Sequence, residues 1–213
     1  MSDTAVGQAL PTDSYSAYNA TTFMIKQIVA RINTATLVQI KSVTNSGGVS
    51  PVGSVDVLPL VNQVDGAGNP TEHVTVYGLP YVRIQGGTNA VIIDPKVGDI
   101  GVAVFASRDI STVKNAKKQS NPGSYRRFNM ADGLYIGGVL NGSPTNYVQF
   151  DNSGNINIVS TGKLTFSATN ATLDTSGNLH VQGDVVTGTG ISLNNHVHTG
   201  VQGGTSTTGP ATG

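Results

Sequence analysis

The sequence has no cysteine and no tryptophan, and only 11% of its 213 residues are charged. Without cysteine, a disulfide framework and a thiolate metal site are both excluded. The 12 basic residues balance the 12 acidic ones, so the chain lacks the basic excess that an electrostatic nucleic-acid binder needs. Apolar runs are short, and the first residues lack the basic and apolar regions of a secretion signal. We therefore expect no nucleic-acid partner, no signal peptide and no transmembrane segment.

The residues that are abundant favour β structure. Val, Ile and Thr are frequent, and 27 glycines break the sequence into short segments. We therefore predict an all-β protein made of six parts: a flexible arm at 1–17, a helix at 18–34, a barrel at 35–110, a connecting segment at 111–144, a β-helix at 145–190 and an apex at 191–213.

One segment has the periodicity of a helix. Phe23, Met24, Ile28, Val29 and Ile32 recur at close to 3.6 residues, and the threonines at 21 and 22 are candidate caps. This pattern predicts a single amphipathic helix that packs on its own domain or on a sister chain.

Short β-rich runs follow the helix and are separated by glycine- and asparagine-rich turns. The predicted strands are 37–43, 53–60, 73–77, 81–84 and 100–105, with a Gly-Leu-Pro turn between the third and the fourth. About five short strands of this kind suit a small Greek-key barrel of the OB type. A short β-sandwich is the alternative.

The connecting segment gathers five of the 12 basic residues: Lys114, Lys117, Lys118, Arg126 and Arg127. Such a run predicts a solvated loop, and docking to an acidic partner surface is the alternative. Three carboxylates near turns, Asp99, Asp109 and Asp132, are interpreted as cap or turn residues.

The C-terminal third combines polar residues with alternating apolar ones. A motif at 151–158 returns 23 residues later at 174–181, and each copy joins a glycine turn to a strand with one apolar face. Such strands have no second layer to pack against, while backbone ordering costs about 1–2 kcal/mol per residue. We therefore predict an intertwined oligomer of three chains, with disorder of the tail as the alternative. The shared apolar column would contain Ile158, Leu164, Phe166, Leu173 and Val181.

Two histidines near the C-terminus are the candidate metal ligands. In an extended strand, His196 and His198 project from the same face, so their imidazoles can bind one ion. Three chains would supply six nitrogens, an octahedral set that favours iron(II), with nickel or cobalt possible and tetrahedral zinc disfavoured. A His-x-His pair also occurs incidentally, and neither His73 nor His180 has a partner at usable spacing.

Enzymatic motifs do not occur in a credible context. The sequence lacks a Ser-His-Asp constellation, a G-x-S-x-G elbow, paired carboxylates and a phosphate-binding loop. We therefore expect neither catalysis nor a small-molecule substrate.

Three stretches resemble the central spike protein at the tip of contractile phage tails. The stretches 95–110 and 127–136 are similar to the N-terminal domain of that family, and 196–202 resembles its apex. The resemblance implies an OB-fold domain and a homotrimeric, triple-stranded β-helix that tapers to a point. It also implies one iron ion per trimer, held by six histidines from three chains.

The role implied by this resemblance is mechanical. Sheath contraction would drive the spike through the outer membrane of the host, so the membrane would be a transient partner and the baseplate hub a lasting one. The expected location is the baseplate tip of the virion. A receptor-binding trimeric tail fibre or adhesin is an alternative, as is the spike of a phage-derived bacteriocin or other injection machine.

Overall fold

The computed structural model of the chain describes residues 11–65, 68–170, 172, 176 and 179–195. Two compact units divide the chain, Met1–Thr145 and Asn146–Gly213. The all-β prediction is confirmed, since strands dominate and helices are few. Among the described residues, no helix has the length and apolar character needed to cross a membrane.

The predicted N-terminal helix is present as α1 (Ala17–Val29). Its N-cap is Ser16, whose side chain accepts a hydrogen bond of 3.2 Å from the backbone N–H of Asn19. This bond satisfies one of the free N–H groups of the first turn. The cap predicted at Thr21 or Thr22 is therefore wrong, because the helix already begins four residues earlier.

Five strands form one curled sheet in the first unit: β1 (Ala35–Thr44), β2 (Ser54–Pro59), β3 (Val76–Pro80), β4 (Ile100–Phe105) and β5 (Gly133–Gly138). Their order is β3-β2-β1-β4-β5, and neighbours in this order are antiparallel. The two edges also meet, because Tyr81, next to β3, forms a parallel bridge with Tyr135 of β5. The assignment to the OB class stays a prediction.

The core lies inside this curled sheet. Burial alternates along β2 and β4, so that every second residue points inward. The buried apolar side chains come from all five strands and their ends: Val38, Ile40, Val55, Val57, Leu79, Tyr81, Ala103, Phe105 and Tyr135. The first unit thus has a core of its own.

The turn predicted at Gly-Leu-Pro is wrong, since these three residues belong to β3. Leu79 is fully buried there. Gly78 has a φ of +68° and donates its N–H to Asp56 at 2.9 Å, at the point where the β2–β3 register shifts. Gly78 therefore forms a bulge inside a continuous strand and does not end the strand. Because β3 begins only at Val76, His73 precedes it, and the prediction of a strand at 73–77 is wrong for its first three residues.

The fifth strand lies inside the predicted connecting segment, so the sheet continues beyond residue 110. Sequence patterning missed β5 because three of its six residues, Gly133, Gly137 and Gly138, are glycines. Gly133 is required by packing: a Cβ atom there would lie 2.8 Å from a methyl carbon of Leu79 and 2.9 Å from the ring of Phe105.

The basic run is not simply a solvated loop, because Arg126 is held by two buried carboxylates. Its Nε and one terminal nitrogen donate to Asp132 at 2.6 and 2.9 Å, and the same terminal nitrogen donates to Asp109 at 3.0 Å. Asp132 also accepts from the backbone N–H of Ile110. We call these three side chains the Arg126 cluster; it fastens the segment between β4 and β5 to the sheet.

The titration of Asp109, one member of the Arg126 cluster, is strongly perturbed. Hydrogen bonds from Ser111 and from the hydroxyl of Ser124, together with the charge of Arg126, hold its pKa far below the ordinary value of 3.8. Because its pKa is depressed in the folded state, its stabilising contribution is present above the ordinary value and is lost as the pH falls below it. The interpretation of Asp109 as a simple turn residue is therefore incomplete.

Replacing Asp109 by Asn tests this contribution. We expect Asp109→Asn to lower the thermal unfolding midpoint of the first unit at neutral pH, and we expect the deficit relative to wild type to shrink below about pH 4. Thermal melts followed by circular dichroism across the pH range measure it. Glu72→Gln, at an exposed position, is the charge-matched control. A deficit independent of pH would contradict the ionic role.

In the second unit, β6 (Tyr147–Phe150) and β7 (Ile156–Val159) form an antiparallel hairpin. Asp151 organises its turn by accepting hydrogen bonds from the backbone N–H groups of Ser153 and Asn155. The first copy of the predicted repeat is thus a turn followed by a strand. Four of the eight residues of the second copy, 174, 175, 177 and 178, lie outside the described residues, as does Leu173, so the β-helix stays a prediction.

Apolar side chains of the second unit are exposed to solvent in the single chain. Phe166 is 77% exposed, and the others include Val148, Phe150, Ile156, Ile158, Leu164, Leu179 and Val181. Neither strand of the β6–β7 hairpin has a buried residue. In its described part, the second unit has no apolar core within one chain.

Candidate metal-binding apex

The chain that leads to the candidate histidines forms a small antiparallel turn structure. Val186 pairs with Ser192 in an isolated bridge, and the N–H of Leu193 donates to the carbonyl of Val185 at 2.9 Å. The turn structure reaches to within two residues of His196 in the sequence.

The turn between the paired residues repeats a geometry used elsewhere in the chain. The N–H of Thr187 donates to the carbonyl of Ile191, and Gly190, with a φ of +83°, donates to the carbonyl of Thr187. The hydroxyl of Thr187 accepts from the N–H of Ile191 at 3.0 Å. The turns that start at Asp65 and Asp151 have the same backbone bonds, and their carboxylates replace the hydroxyl.

This common geometry explains the sequence repeat. In all three turns a glycine with positive φ occupies the fourth position and an oxygen-bearing side chain the first. The sequence motif at 174–178 has the same two features, although it lies mostly outside the described residues. The glycine-rich turn predicted between the second and third strands includes the turn at Asp65, whereas sequence reasoning missed the turn at Thr187; the glycine three residues after the threonine was the available signal.

Asp184 closes the base of the apical turn structure. Its carboxylate accepts hydrogen bonds from the hydroxyl of Ser192 and, at 3.0 Å, from the N–H of Asn194. The bond from Ser192, followed by backbone bonds, lowers the pKa of Asp184 from its ordinary value. The side chain of Asn194 adds a bond of 3.3 Å to the carbonyl of Gly183. Both carboxylate oxygens of Asp184 are thus already hydrogen-bond acceptors, for Ser192 and for Asn194.

The two predicted ligands, His196 and His198, lie outside the described residues. The donor set around them can still be judged from its chemistry. From residue 184 onward, Asp184 is the only carboxylate, and its oxygens already accept hydrogen bonds. The imidazoles are therefore the strong metal donors in this part of the sequence, and imidazole nitrogen is a donor that suits iron, nickel or cobalt.

Among the described residues, the other two histidines are not part of a metal-binding cluster. His180 is exposed in the second unit and His73 is half-buried in the first. Within the described ranges, no three residues among His, Cys, Asp and Glu are grouped so that they could hold a metal ion.

Comparison with known families places a motif at this end of the chain. Residues 190–212 match a family model described as the GpV Apex motif, and the matched range contains both His196 and His198. This motif is the apex of a phage central spike, and it is in general a metal-binding motif. The match confirms the resemblance to central spike proteins of contractile-tailed phages and indicates a phage spike or tail-tip protein. None of the curated proteins compared with the chain matches it.

Asp184 provides a test of the apical turn structure. We expect Asp184→Ala to speed amide hydrogen exchange at 185–195, because the variant removes the acceptor that joins the two sides of the turn. Asp184→Asn keeps one carbonyl oxygen and should have a smaller effect. Exchange followed by mass spectrometry measures both. Equal rates in wild type and Asp184→Ala would show that the carboxylate does not hold the turn.

Proposed function

We propose that three copies of this chain form the membrane-piercing central spike at the tip of a contractile tail baseplate. On sheath contraction the spike is driven through the outer membrane of the host. The observation that carries the proposal is the apex motif at 190–212, which begins inside the turn structure that Asp184 closes and continues through both histidines. In this role the protein acts mechanically, with no catalysis and no small-molecule substrate.

Exposed apolar side chains support the trimer. Phe166, Leu164 and Ile158 are 77%, 51% and 51% exposed in one chain, although each belongs to a segment with alternating apolar residues. Burying apolar surface yields roughly 25 cal/mol per Å². Three chains wound around one axis as a triple-stranded β-helix would bury these side chains against each other, with Val181 and Leu173 further along.

Donor chemistry supports an iron site at the tip. Each chain contributes His196 and His198, and three chains contribute six imidazole nitrogens, which suits octahedral iron(II). The ion would join three chain ends where few apolar residues remain. Because unfolded chains lack a preformed site, binding of the ion adds to the stability of the folded trimer.

The first unit supplies a base for the spike. Its strand order, together with the parallel bridge between Tyr81 and Tyr135, supports a five-stranded barrel of the OB type. We assign this barrel the role of docking to the baseplate hub. The fold alone does not imply binding of nucleic acid or oligosaccharide. The location that follows is the baseplate tip of the virion, and contact with the outer membrane is transient.

A receptor-binding trimeric fibre is the alternative of a different class. The placement of the apex motif at the C-terminal end, after a unit with its own core, favours the spike. The spike of a phage-derived bacteriocin or injection machine would use the same parts in the same way.

The first test of the proposal is its metal stoichiometry. We expect native mass spectrometry of the full chain to give a trimer, and elemental analysis to give about one iron per three chains. A monomer, or a trimer without a transition metal, would overturn the tip assignment.

The second test separates the metal from the trimer. The double variant His196→Ala/His198→Ala should lose the metal and remain trimeric, because exposed apolar side chains such as Phe166, Leu164 and Ile158 lie outside the apex and would still hold the chains together. His180→Ala, at an exposed position, is the matched control and should keep the metal. Dissociation of the double variant into monomers would show that the ion, rather than apolar burial, holds the chains together.

A further inference from the structure

Helix α1 has two faces, and only one of them faces its own chain. Asn19, Phe23 and Gln27 lie on one side of the helix and are partly buried. The helix packs there against the 3-10 turn Pro11–Ser14, and the side chain of Asn19 donates to the carbonyl of Thr12 at 2.7 Å. Contact with its own chain thus accounts for this side of α1.

The opposite face is apolar and exposed. Ile25, Ile28 and Val29 are 55%, 64% and 58% exposed, and Tyr18 is 78% exposed. At 3.6 residues per turn, these side chains and Thr21 lie in a stripe about 100° wide, opposite Phe23. We call this set the α1 stripe. No residue of the helix is fully buried, so the first unit leaves the stripe without a cover among the described residues.

Spacing along the α1 stripe is that of a coiled-coil seam. Tyr18 and Ile25 are seven residues apart, as are Thr21 and Ile28, and the two series are offset by three. They therefore occupy the a and d positions of two heptads, with Val29 beside them. Isoleucine at both a and d favours bundles of three or four helices over two.

We propose that the α1 helices of three copies of this chain pack through the α1 stripe into a short three-helix bundle. This inference rests on the proposed function for the number of chains, and it adds an interface in the first unit to the one in the second. Each α1 stripe would thus be covered by the α1 stripes of the two sister chains.

The length of α1 explains why this interface needs the rest of the trimer. Isolated helices shorter than about 12–15 residues are marginal in water, and α1 has 13 residues. Two heptads bury too little to assemble alone. Once another part of the chain holds three copies together, the effective concentration of the helices is in the millimolar range, and the second contact forms as an intramolecular one.

Cysteine cross-linking in the full chain tests the bundle, because the natural sequence contains no cysteine. In the bundle, Ile25→Cys would place three cysteines around one axis. Their Cα atoms would lie close to the separation of roughly 4.4–6.8 Å that a disulfide requires. Mild oxidation of dilute protein should therefore convert up to about two thirds of the chains to disulfide-linked dimers, since one thiol of each three is left over. Lys26→Cys, on the next residue and off the seam, is the matched control and should stay monomeric on a denaturing gel.

Native mass spectrometry of the same variants separates the two proposals. A monomeric protein would overturn both the spike trimer and the bundle. A trimer in which Ile25→Cys does not cross-link, or cross-links no better than Lys26→Cys, would overturn the bundle alone. As a second measurement, Ile25→Asp/Ile28→Asp should reduce the helical circular dichroism signal without changing the trimer mass. An unchanged signal would show that α1 does not depend on its sister helices.

Discussion

Burial of apolar surface is the constraint on which the structure depends, and the two units meet it differently. The first unit has a core of its own, in which residues such as Val38, Ile40 and Leu79 are fully buried. In the second unit, Phe150, Phe166 and their neighbours are exposed, so a single chain cannot stabilise the hairpin β6–β7. In the proposed trimer, a core shared between chains would resolve this difference, and the proposed helix bundle would cover apolar side chains of the first unit in the same way.

Polar groups then fix the segments that apolar packing leaves loose. The Arg126 cluster fastens the long connection between β4 and β5, Asp151 shapes the hairpin turn, and Asp184 closes the last turn before the histidines. In each case a carboxylate accepts backbone N–H groups that would otherwise need water. The chain can thus be rich in glycine and still follow a defined path.

Sequence patterning predicted the elements whose apolar residues recur at regular spacing. The strands β1, β2 and β4, the helix and the turn of the first repeat all carry alternation or 3.6-residue spacing, and the structure contains them. Sequence patterning missed β5, because its three glycines have no side chains that could alternate between apolar and polar. It also predicted a turn at Gly78, because a bulge depends on the pairing with β2 and leaves no pattern in the sequence of β3 alone. The partnership of Arg126 with Asp109 and Asp132 was not predicted, because spacings of 17 and six residues outside a regular element follow no periodic pattern. The candidate ligands His196 and His198 came from spacing and resemblance, and the apex motif covers both.

Solvent protection of the second unit is the most direct measure of the central claim that its core is shared between chains. Hydrogen exchange of the intact protein should show slow amides in 147–159, although one chain alone leaves the side chains of both strands exposed. Protection of these amides should be as strong as in β1 and β2, which belong to a core within one chain. Fast exchange throughout 147–159, beside a protected first unit, would contradict the shared core.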